Sequence, residues 1–189
     1  MLLYRRHLPH WFPDRSIVFV TWRLAGSAPP VTPEILTAEN TGRIPFHVRD
    51  ERLDRCSSGP FWLRDERIAR VVQDALQHGD TVRHSYDLHA WAIMPNHVHA
   101  VLDSHIPMPA IMRWLKGRTS RIANRILGRS GQAFWQGESY DHWIRSAGEL
   151  ENIVRYVEDN PVNAGLVNAA EQWPWSSARF RDGSSRQTT

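Results

Sequence analysis

The sequence of 189 residues predicts an α+β domain in which helices pack on one face of an antiparallel sheet. Three observations lead to this class. Short runs rich in β-branched and aromatic residues recur along the chain, and segments with helical spacing of apolar residues separate them. A Pro-Asn step between two of the runs is typical of a tight turn. The predicted order of elements is β, α, β-hairpin, α, β, α.

The first strand is predicted over residues 16–24, because the sequence SIVFVTWRL is dominated by β-branched and aromatic side chains. Residues 27–60 follow as a long, proline-rich connection. A helix is predicted over residues 63–78, where apolar side chains recur three and four positions apart. Gly79 is interpreted as the stop signal of that helix.

A β-hairpin is predicted next. Residues 84–94 and 97–102 are strand-like runs, and only Pro95-Asn96 separates them. Two connected strands of this kind pair with each other in an antiparallel sheet.

The remaining elements are a helix, a strand and a second helix. The first helix is predicted over 107–129, with Gly117 as a candidate break. Residues 134–145 are predicted to be extended. The last helix is predicted over 148–159 and should end at Asn160-Pro161, because proline disfavours helical geometry in the residue before it.

This order of elements is that of a ferredoxin-like sandwich. The length suits one domain, predicted over residues 1–180. Residues 181–189 are polar and are predicted to form a disordered tail. Cys56 is the single cysteine, and no apolar stretch has the length of a membrane span or the pattern of a signal peptide. These features predict a soluble, cytoplasmic protein.

Two histidines, His97 and His99, lie two residues apart on a predicted strand, so their rings should point to the same face. Neutral imidazoles in this arrangement can bind a divalent metal ion. The alternative is that both rings are structural, since the chain has ten histidines and such pairs also arise by chance. Two imidazoles leave a divalent ion short of protein ligands, so a third ligand would come from elsewhere in the chain.

Tyr156 and Asn160 lie four residues apart, which is one turn on one face of a helix. With the two histidines they provide two nitrogens, an amide oxygen and a phenol. These are the groups that a metal-assisted tyrosine nucleophile requires, and a phosphodiester is the favoured target. Tyr140 competes for the nucleophile's role, because Asp141 and His142 follow it directly. Taken alone, each of these residues also fits a structural role.

The segment between Asp103 and Glu138 contains no acidic residue but several basic ones. A solvated helix face normally mixes both signs, so this pattern favours a polyanion such as nucleic acid. The preference for arginine over lysine has two equal explanations, phosphate recognition and a GC-rich genome. The predicted DNA contacts are Arg113, Lys116, Arg118, Arg121, Arg125 and Arg145.

Four motifs in order resemble the REP-associated tyrosine transposases, which belong to the single-tyrosine HUH, IS200-like transposase family. The resemblance extends from about Ser16 to Phe180 and omits only the proline-rich connection. The motifs are WAIMPNHVH at 91–99, FWQ at 134–136 with YDHWIR at 140–145, Tyr156 with NPVNAGLV at 160–167, and WPWSS at 173–177.

The resemblance implies a ferredoxin-like catalytic domain and a role for each site residue. His97 and His99 fall on the metal ligands of the family, and Tyr156 falls on the nucleophile. Asn160 falls on the third metal ligand, a position where related transposases often have glutamine. The implied ion is Mg²⁺ or Mn²⁺. Tyr140 lies in a shared motif away from the nucleophile, which implies a structural or DNA-proximal role.

The implied function is to bind palindromic DNA hairpins and to cleave and rejoin the single strand beside them. A covalent 5′-phosphotyrosine intermediate and a free 3′-OH would conserve the bond energy. No small-molecule cofactor and no membrane partner are expected. One alternative is a domesticated hairpin-binding protein without transposition activity. Another is a metal-dependent hydrolase of small phosphoesters, which would need neither the basic helix nor Tyr156.

Overall fold

The computed structural model of the protein describes residues 16–27 and 59–181. Most of the predicted connection and nearly all of the predicted tail lie outside these ranges. The α+β class and the predicted order of elements are confirmed. The elements are β1 (Ile17–Arg23), α1 (Glu66–Thr81), β2 (Tyr86–Ile93), β3 (His97–Ser104), α2 (Met108–Ile126), β4 (Tyr140–Trp143) and α3 (Ala147–Asn163).

The four strands form one antiparallel sheet in the order β2-β3-β1-β4. The predicted hairpin joins β2 to β3, and its turn is closed by a hydrogen bond of 2.8 Å from Met94 N to His97 O. Strand β1 is central and pairs with both β3 and β4. In this register Thr21 lies opposite His99 on one side and opposite Tyr140 on the other. Because direct cross-strand neighbours share a face, these three side chains lie on the same face of the sheet.

Helices cover both faces of the sheet. Helices α1 and α2 pack on one face, as predicted, and α3 packs on the opposite face. The sequence pattern predicts helices on one face only. The second helical layer is missed because the five central residues of β1 are all buried. A strand that is buried on both sides has no polar face, so the sequence pattern does not reveal the second helical layer.

The two faces take alternate residues of the same strands. Val18 and Val20 of β1 belong to the core beneath α1 and α2, which we call the two-helix face. Phe19 of β1 and Val101 of β3 belong to the core beneath α3, which we call the α3 face. Val157 is fully buried there.

Helix α1 continues past Gly79 to Thr81, so the prediction that Gly79 stops the helix is wrong. Gly79 is instead required by packing. A Cβ at this position would collide with the phenol ring of Tyr86. The same ring is anchored by a hydrogen bond of 2.9 Å from Tyr86 Oη to Leu76 O, and burial raises the pKa of Tyr86.

The predictions for the last two helices also differ from the structure in one detail each. Helix α2 is continuous through Gly117, which is exposed. Glycine weakens a helix without necessarily ending it. Helix α3 runs through Pro161 to Asn163, so its predicted end at Asn160-Pro161 is wrong. A hydrogen bond of 2.9 Å from Ala164 N to Asn160 O closes its last turn. Asn160 is therefore helical, one turn after Tyr156.

The region predicted to be extended over 134–145 forms a regular strand only as β4. After α3, the C-terminal segment (residues 173–181) lies along the β2 edge of the sheet. Ile93 N donates to Trp175 O at 2.8 Å, and Trp173 Nε1 donates to Ile93 O at 3.0 Å. None of the helices in the described ranges is long and apolar enough to cross a membrane.

Candidate active site on the α3 face

Strand β3 brings His97 and His99 together on the α3 face, as the spacing predicts. Both side chains are fully buried, and their Nε2 atoms lie 2.8 Å apart. Burial lowers the pKa of His99 to about 3. Burial, with the neighbouring His99, lowers the pKa of His97 well below its usual value. The two imidazoles are therefore neutral, which is the form that binds metal ions.

Two polar neighbours orient the imidazoles through their Nδ1 atoms. His97 Nδ1 donates to Asn96 Oδ1 at 2.6 Å, so His97 carries its lone pair on Nε2. Thr21 Oγ1 lies 2.8 Å from His99 Nδ1. A hydroxyl can donate or accept, so Thr21 supports both tautomers of His99. In one, His99 Nε2–H donates to His97, and in the other the Nε2 lone pairs of both rings converge on one point.

Helix α3 places Tyr156 beside this pair. The ring centroid of Tyr156 lies 6.2 Å from that of His99 and 6.2 Å from that of Phe19. Phe19 in turn stacks on His99 with a centroid distance of 5.7 Å. The tyrosine is half-buried, so the phenol of the predicted nucleophile lies in the same packed layer as the imidazoles.

Asn160 lies on the same side of α3, one turn beyond Tyr156. Its side chain is buried, and its Oδ1 atom has no hydrogen-bond partner in the described part of the chain. An unpaired buried amide oxygen costs about 1–3 kcal/mol, and a cation would satisfy it. Within the same ranges, no three His, Cys, Asp or Glu side chains are grouped to hold a metal ion. Two neutral imidazoles and one amide oxygen fit a divalent ion such as Mn²⁺ or Mg²⁺.

Strand β4 adds Tyr140 and His142 to the α3 face. The ring of Tyr140 lies 6.3 Å from that of Phe19. His142 Nε2 lies 2.8 Å from Glu149 Oε1, and Glu149 Oε2 accepts from Arg145 N at 2.7 Å. These bonds connect β4 to the first turn of α3. The Arg145 amide and then His142 lower the pKa of Glu149.

The predicted DNA contacts do not surround the imidazoles. The arginines of α2 are exposed on the outer side of the two-helix face, across the sheet from His97 and His99: Arg113, Arg118, Arg121 and Arg125. Arg145 is also exposed, just after β4.

Lys116 is half-buried and has an internal role. Its Nζ donates to the carbonyl oxygens of Gln136 and Gly137 at 3.1 Å each, and to that of Glu138 at 3.2 Å. These bonds fix the turn that leads into β4. The role of Lys116 as a DNA contact stays a prediction.

Sequence reasoning missed the two residues that orient the imidazoles, Thr21 and Asn96. The signals were present but weak. Thr21 interrupts the apolar run of the first strand, and Asn96 directly precedes the histidine pair. The pairing register that places Thr21 against His99 joins residues 78 positions apart, so spacing along the chain could not reveal it.

The described part of the chain is thus an α+β domain in which paired imidazoles on a strand lie beside a tyrosine on a helix. A family model described as "Transposase IS200 like" matches residues 64–160, and the chain belongs to this family. The matched stretch contains His97, His99, Tyr156 and Asn160.

Two relatives agree with this assignment. A Haemophilus influenzae protein described as "Putative REP-associated tyrosine transposase" is 27% identical over 99 residues, which cover 47% of this chain and 56% of that protein. The match therefore spans little more than half the length of that relative. A solved structure described as a REP-associated tyrosine transposase bound to a REP hairpin superposes with a TM-score of 0.58 at 18% identity, covering 95% of this chain and 84% of the other. The latter match shows the fold, and the resemblance found in the sequence is confirmed.

Proposed function

We propose that this protein is a metal-dependent single-strand DNA endonuclease and transposase. In this proposal it binds palindromic hairpin DNA and cleaves and rejoins the adjacent single strand through a covalent 5′-phosphotyrosine at Tyr156. Residues 1–180 would form the single catalytic domain. One observation carries the proposal, namely that two neutral imidazoles and a helical tyrosine lie together on the α3 face. Asn160, with its unpaired amide oxygen, follows Tyr156 by one turn of α3.

His97, His99 and Asn160 would hold the metal ion. When bound, a divalent ion supplies positive charge that neutralises the scissile phosphate and favours the phenolate form of a nearby tyrosine. The protein's own contribution is orientation. Asn96 and Thr21 hold the two rings through Nδ1, so the Nε2 atoms lie together, 2.8 Å apart, and the His99 tautomer with a free Nε2 lone pair is the one that would bind the ion.

Tyr156 would carry the covalent step. Its Oη forms a bond to the phosphorus and loses its proton to solvent, while the bond from phosphorus to the 3′ oxygen breaks. The departing 3′ oxygen takes up a proton and becomes a free 3′-OH. Attack of a 3′-OH on the phosphotyrosine reverses the step, so rejoining needs no external energy source. A plain hydrolase of small phosphoesters would have no use for a tyrosine at this position.

The test is a denaturing-gel assay with labelled single-stranded oligonucleotides copied from palindromes that flank the gene of this protein. Reactions contain Mn²⁺, Mg²⁺ or EDTA. We expect a covalent adduct of protein and DNA that requires the metal ion and disappears in Tyr156→Phe. Tyr140→Phe is the matched control, because both rings pack against Phe19 on the same face.

Three outcomes would contradict this proposal. An adduct that persists in Tyr156→Phe and disappears in Tyr140→Phe would assign the nucleophile to Tyr140. Cleavage without any adduct would indicate hydrolysis by water. A wild-type protein that shifts the hairpin on a native gel, but never cleaves it, would indicate the domesticated hairpin-binding protein.

The metal ligand on α3 can be tested separately. We expect Asn160→Ala to raise the Mn²⁺ concentration that gives half-maximal adduct formation, because one of three protein ligands is lost. Asn124→Ala is the matched control. Asn124 is also buried with an unpaired Oδ1, but it lies on α2 and belongs to the two-helix face. An equal metal requirement in the Asn160 variant and the wild type would remove Asn160 from the ligand set.

A further inference from the structure

A groove between α1 and the C-terminal segment has no part in the chemistry proposed above. Its volume is about 490 Å³, and it lies where the WPWSS motif passes along the β2 edge of the sheet. The lining residues used below are Glu66, Arg70 and Gln73 from α1, and Trp175, Arg179 and Phe180 from the C-terminal segment.

The groove has an aromatic wall that is accessible at one end. Phe180 exposes 58% of its surface, although its ring lies 5.8 Å from the buried ring of Trp91. Trp175, which is buried, continues this wall. An exposed ring that extends a buried aromatic cluster offers a flat surface on which another planar group can stack.

The groove also carries more positive than negative charge. The guanidinium of Arg70 lies 5.6 Å from the ring centroid of Trp175, and Arg179 is exposed on the other wall. Glu66 is the one acidic residue among the groove's lining residues in the described part of the chain. Arginine binds phosphate through its planar fork and stacks on bases, so this combination suits a nucleotide.

One wall residue carries a buried polar atom that has no hydrogen-bond partner within the described residues, namely the acceptor Gln73 Oε1 on α1. Buried polar atoms are rarely left unpaired. A donor on the edge of a nucleobase would satisfy this oxygen.

We propose that this groove binds one unpaired nucleotide of single-stranded DNA, with its base stacked on Phe180 and its phosphate between Arg70 and Arg179. The inference rests on the proposed function, which supplies DNA as the ligand. The bound nucleotide is unpaired because a duplex hides the faces of its bases. The location adds a reason, since the C-terminal segment that forms one wall crosses the β2 edge and reaches α3, the helix that carries Tyr156; Arg181 Nε lies 2.8 Å from Glu158 Oε1 there.

The test is fluorescence anisotropy of the full-length protein in EDTA, which prevents cleavage. Three labelled probes are used: a blunt hairpin copied from the flanking palindromes, the same hairpin with a single-stranded extension of about ten nucleotides, and the extension alone. We expect Phe180→Ala to weaken binding of the two probes that contain the extension by about tenfold, as for loss of one stacked base. Binding of the blunt hairpin should not change.

Charge variants in the same groove should act with opposite signs. Arg70→Gln should weaken binding of the extended hairpin, whereas Glu66→Gln should strengthen it. A merely structural role of these residues would not reverse the sign. Val82→Ala is the matched control for Phe180→Ala, because Val82 exposes 61% of its surface at the other end of α1. Thermal unfolding by circular dichroism establishes that each variant is folded.

The outcomes distinguish a failure of the groove proposal from a failure of hairpin recognition. If the blunt hairpin is bound and Phe180→Ala leaves the extended probes unaffected, the groove proposal is overturned and hairpin binding stands. If the blunt hairpin is not bound but the extension is bound in a Phe180-dependent manner, the groove proposal stands and hairpin recognition fails. Photocrosslinking of 5-iododeoxyuridine in the extension should label Trp175 or Phe180. A crosslink found only on other peptides would contradict the groove assignment.

Discussion

The two faces of the sheet use the same strands for different purposes. On the two-helix face, the Thr119 hydroxyl is paired on both sides within its own layer. Trp135 Nε1 donates to Thr119 Oγ1 at 2.8 Å, and that hydroxyl donates to Leu115 O at 2.7 Å. On the α3 face, Thr21 and His99 form a pair of the same kind, but it leads to a second imidazole, that of His97.

The comparison shows how one small sheet can place a predicted DNA-binding surface and a candidate active site on opposite sides. Adjacent residues of β3 serve opposite faces, since Val98 packs beneath α1 and α2 while His99 belongs to the candidate active site. The exposed arginines of α2 lie on the outside of one layer, and the candidate catalytic groups are buried in the other. A substitution on one face should therefore affect one function and leave the other intact.

Of the substitutions that compare the two faces, the largest effect is expected from loss of the hydroxyl that orients His99. Thr21→Val keeps the shape of the side chain but removes its hydrogen bond to Nδ1. We expect metal-dependent adduct formation to fall about 10- to 100-fold, as is usual when the partner of a metal-binding imidazole is lost. The rate is measured on the denaturing gel at saturating DNA, across a titration of Mn²⁺.

Thr119→Val is the matched control on the two-helix face. It leaves Trp135 Nε1 without an acceptor, so it should lower the free energy of unfolding by about 1–3 kcal/mol. The adduct rate per folded protein should remain at the wild-type value. Equal losses of adduct formation in the two valine variants would show that the two faces are not independent.

A smaller effect is expected from the arginines of α2. Neutralising a phosphate contact reduces the slope of log affinity against log salt concentration by about one. We therefore expect Arg118→Gln and Arg121→Gln each to reduce this slope for the blunt hairpin, with no change in the adduct rate at saturating DNA. Arg155→Gln, an exposed arginine on α3, is the control and should leave the slope unchanged. An equal reduction in all three variants would indicate a general charge effect.

The smallest effect concerns Glu158 of α3, which ties the C-terminal segment to the helix. Ser177 Oγ donates to Glu158 Oε1 at 2.8 Å, and Arg181 Nε lies 2.8 Å from the same oxygen. Burial raises the pKa of Glu158 despite the opposing contributions of Ser177 and Arg181, and the nearby Asp159 adds to the rise. A carboxyl whose pKa is higher in the folded state binds protons more tightly there than in the unfolded chain.

Stability contributed by Glu158 should therefore decline as the pH rises from the unfolded pKa, about 4.3, through the folded pKa. Glu158→Gln lacks this titration. We expect the free energy of unfolding of the wild type to fall relative to that of the variant between pH 4 and pH 7. Urea unfolding at several pH values measures this difference. A difference that is constant or that changes in the opposite direction would contradict the raised pKa.

Local sequence patterns predicted most of the fold and, within the candidate site, the placement of the two imidazoles. Alternating and helical spacing located the hairpin and all three helices, and the spacing of His97 and His99 correctly placed both rings on one face. The error at Gly79 came from a tertiary contact, because this glycine looks like a stop signal until Tyr86 is seen to pack against it. Pro161 looks like a helix end, although α3 continues through it. Thr21 could not be connected to His99 without the strand register.

The position of β1 also has a consequence for how the molecule acquires its structure. This strand precedes the other three in sequence, yet it is central in the sheet, and its partners are β3 and β4. During synthesis β1 cannot pair until β3 and β4 have been made, and contacts between residues so far apart in sequence slow folding. Removal of β1 would not trim an edge but would separate β4 from the hairpin. The stretch from 64 to 160 that identifies the family is thus not expected to fold by itself.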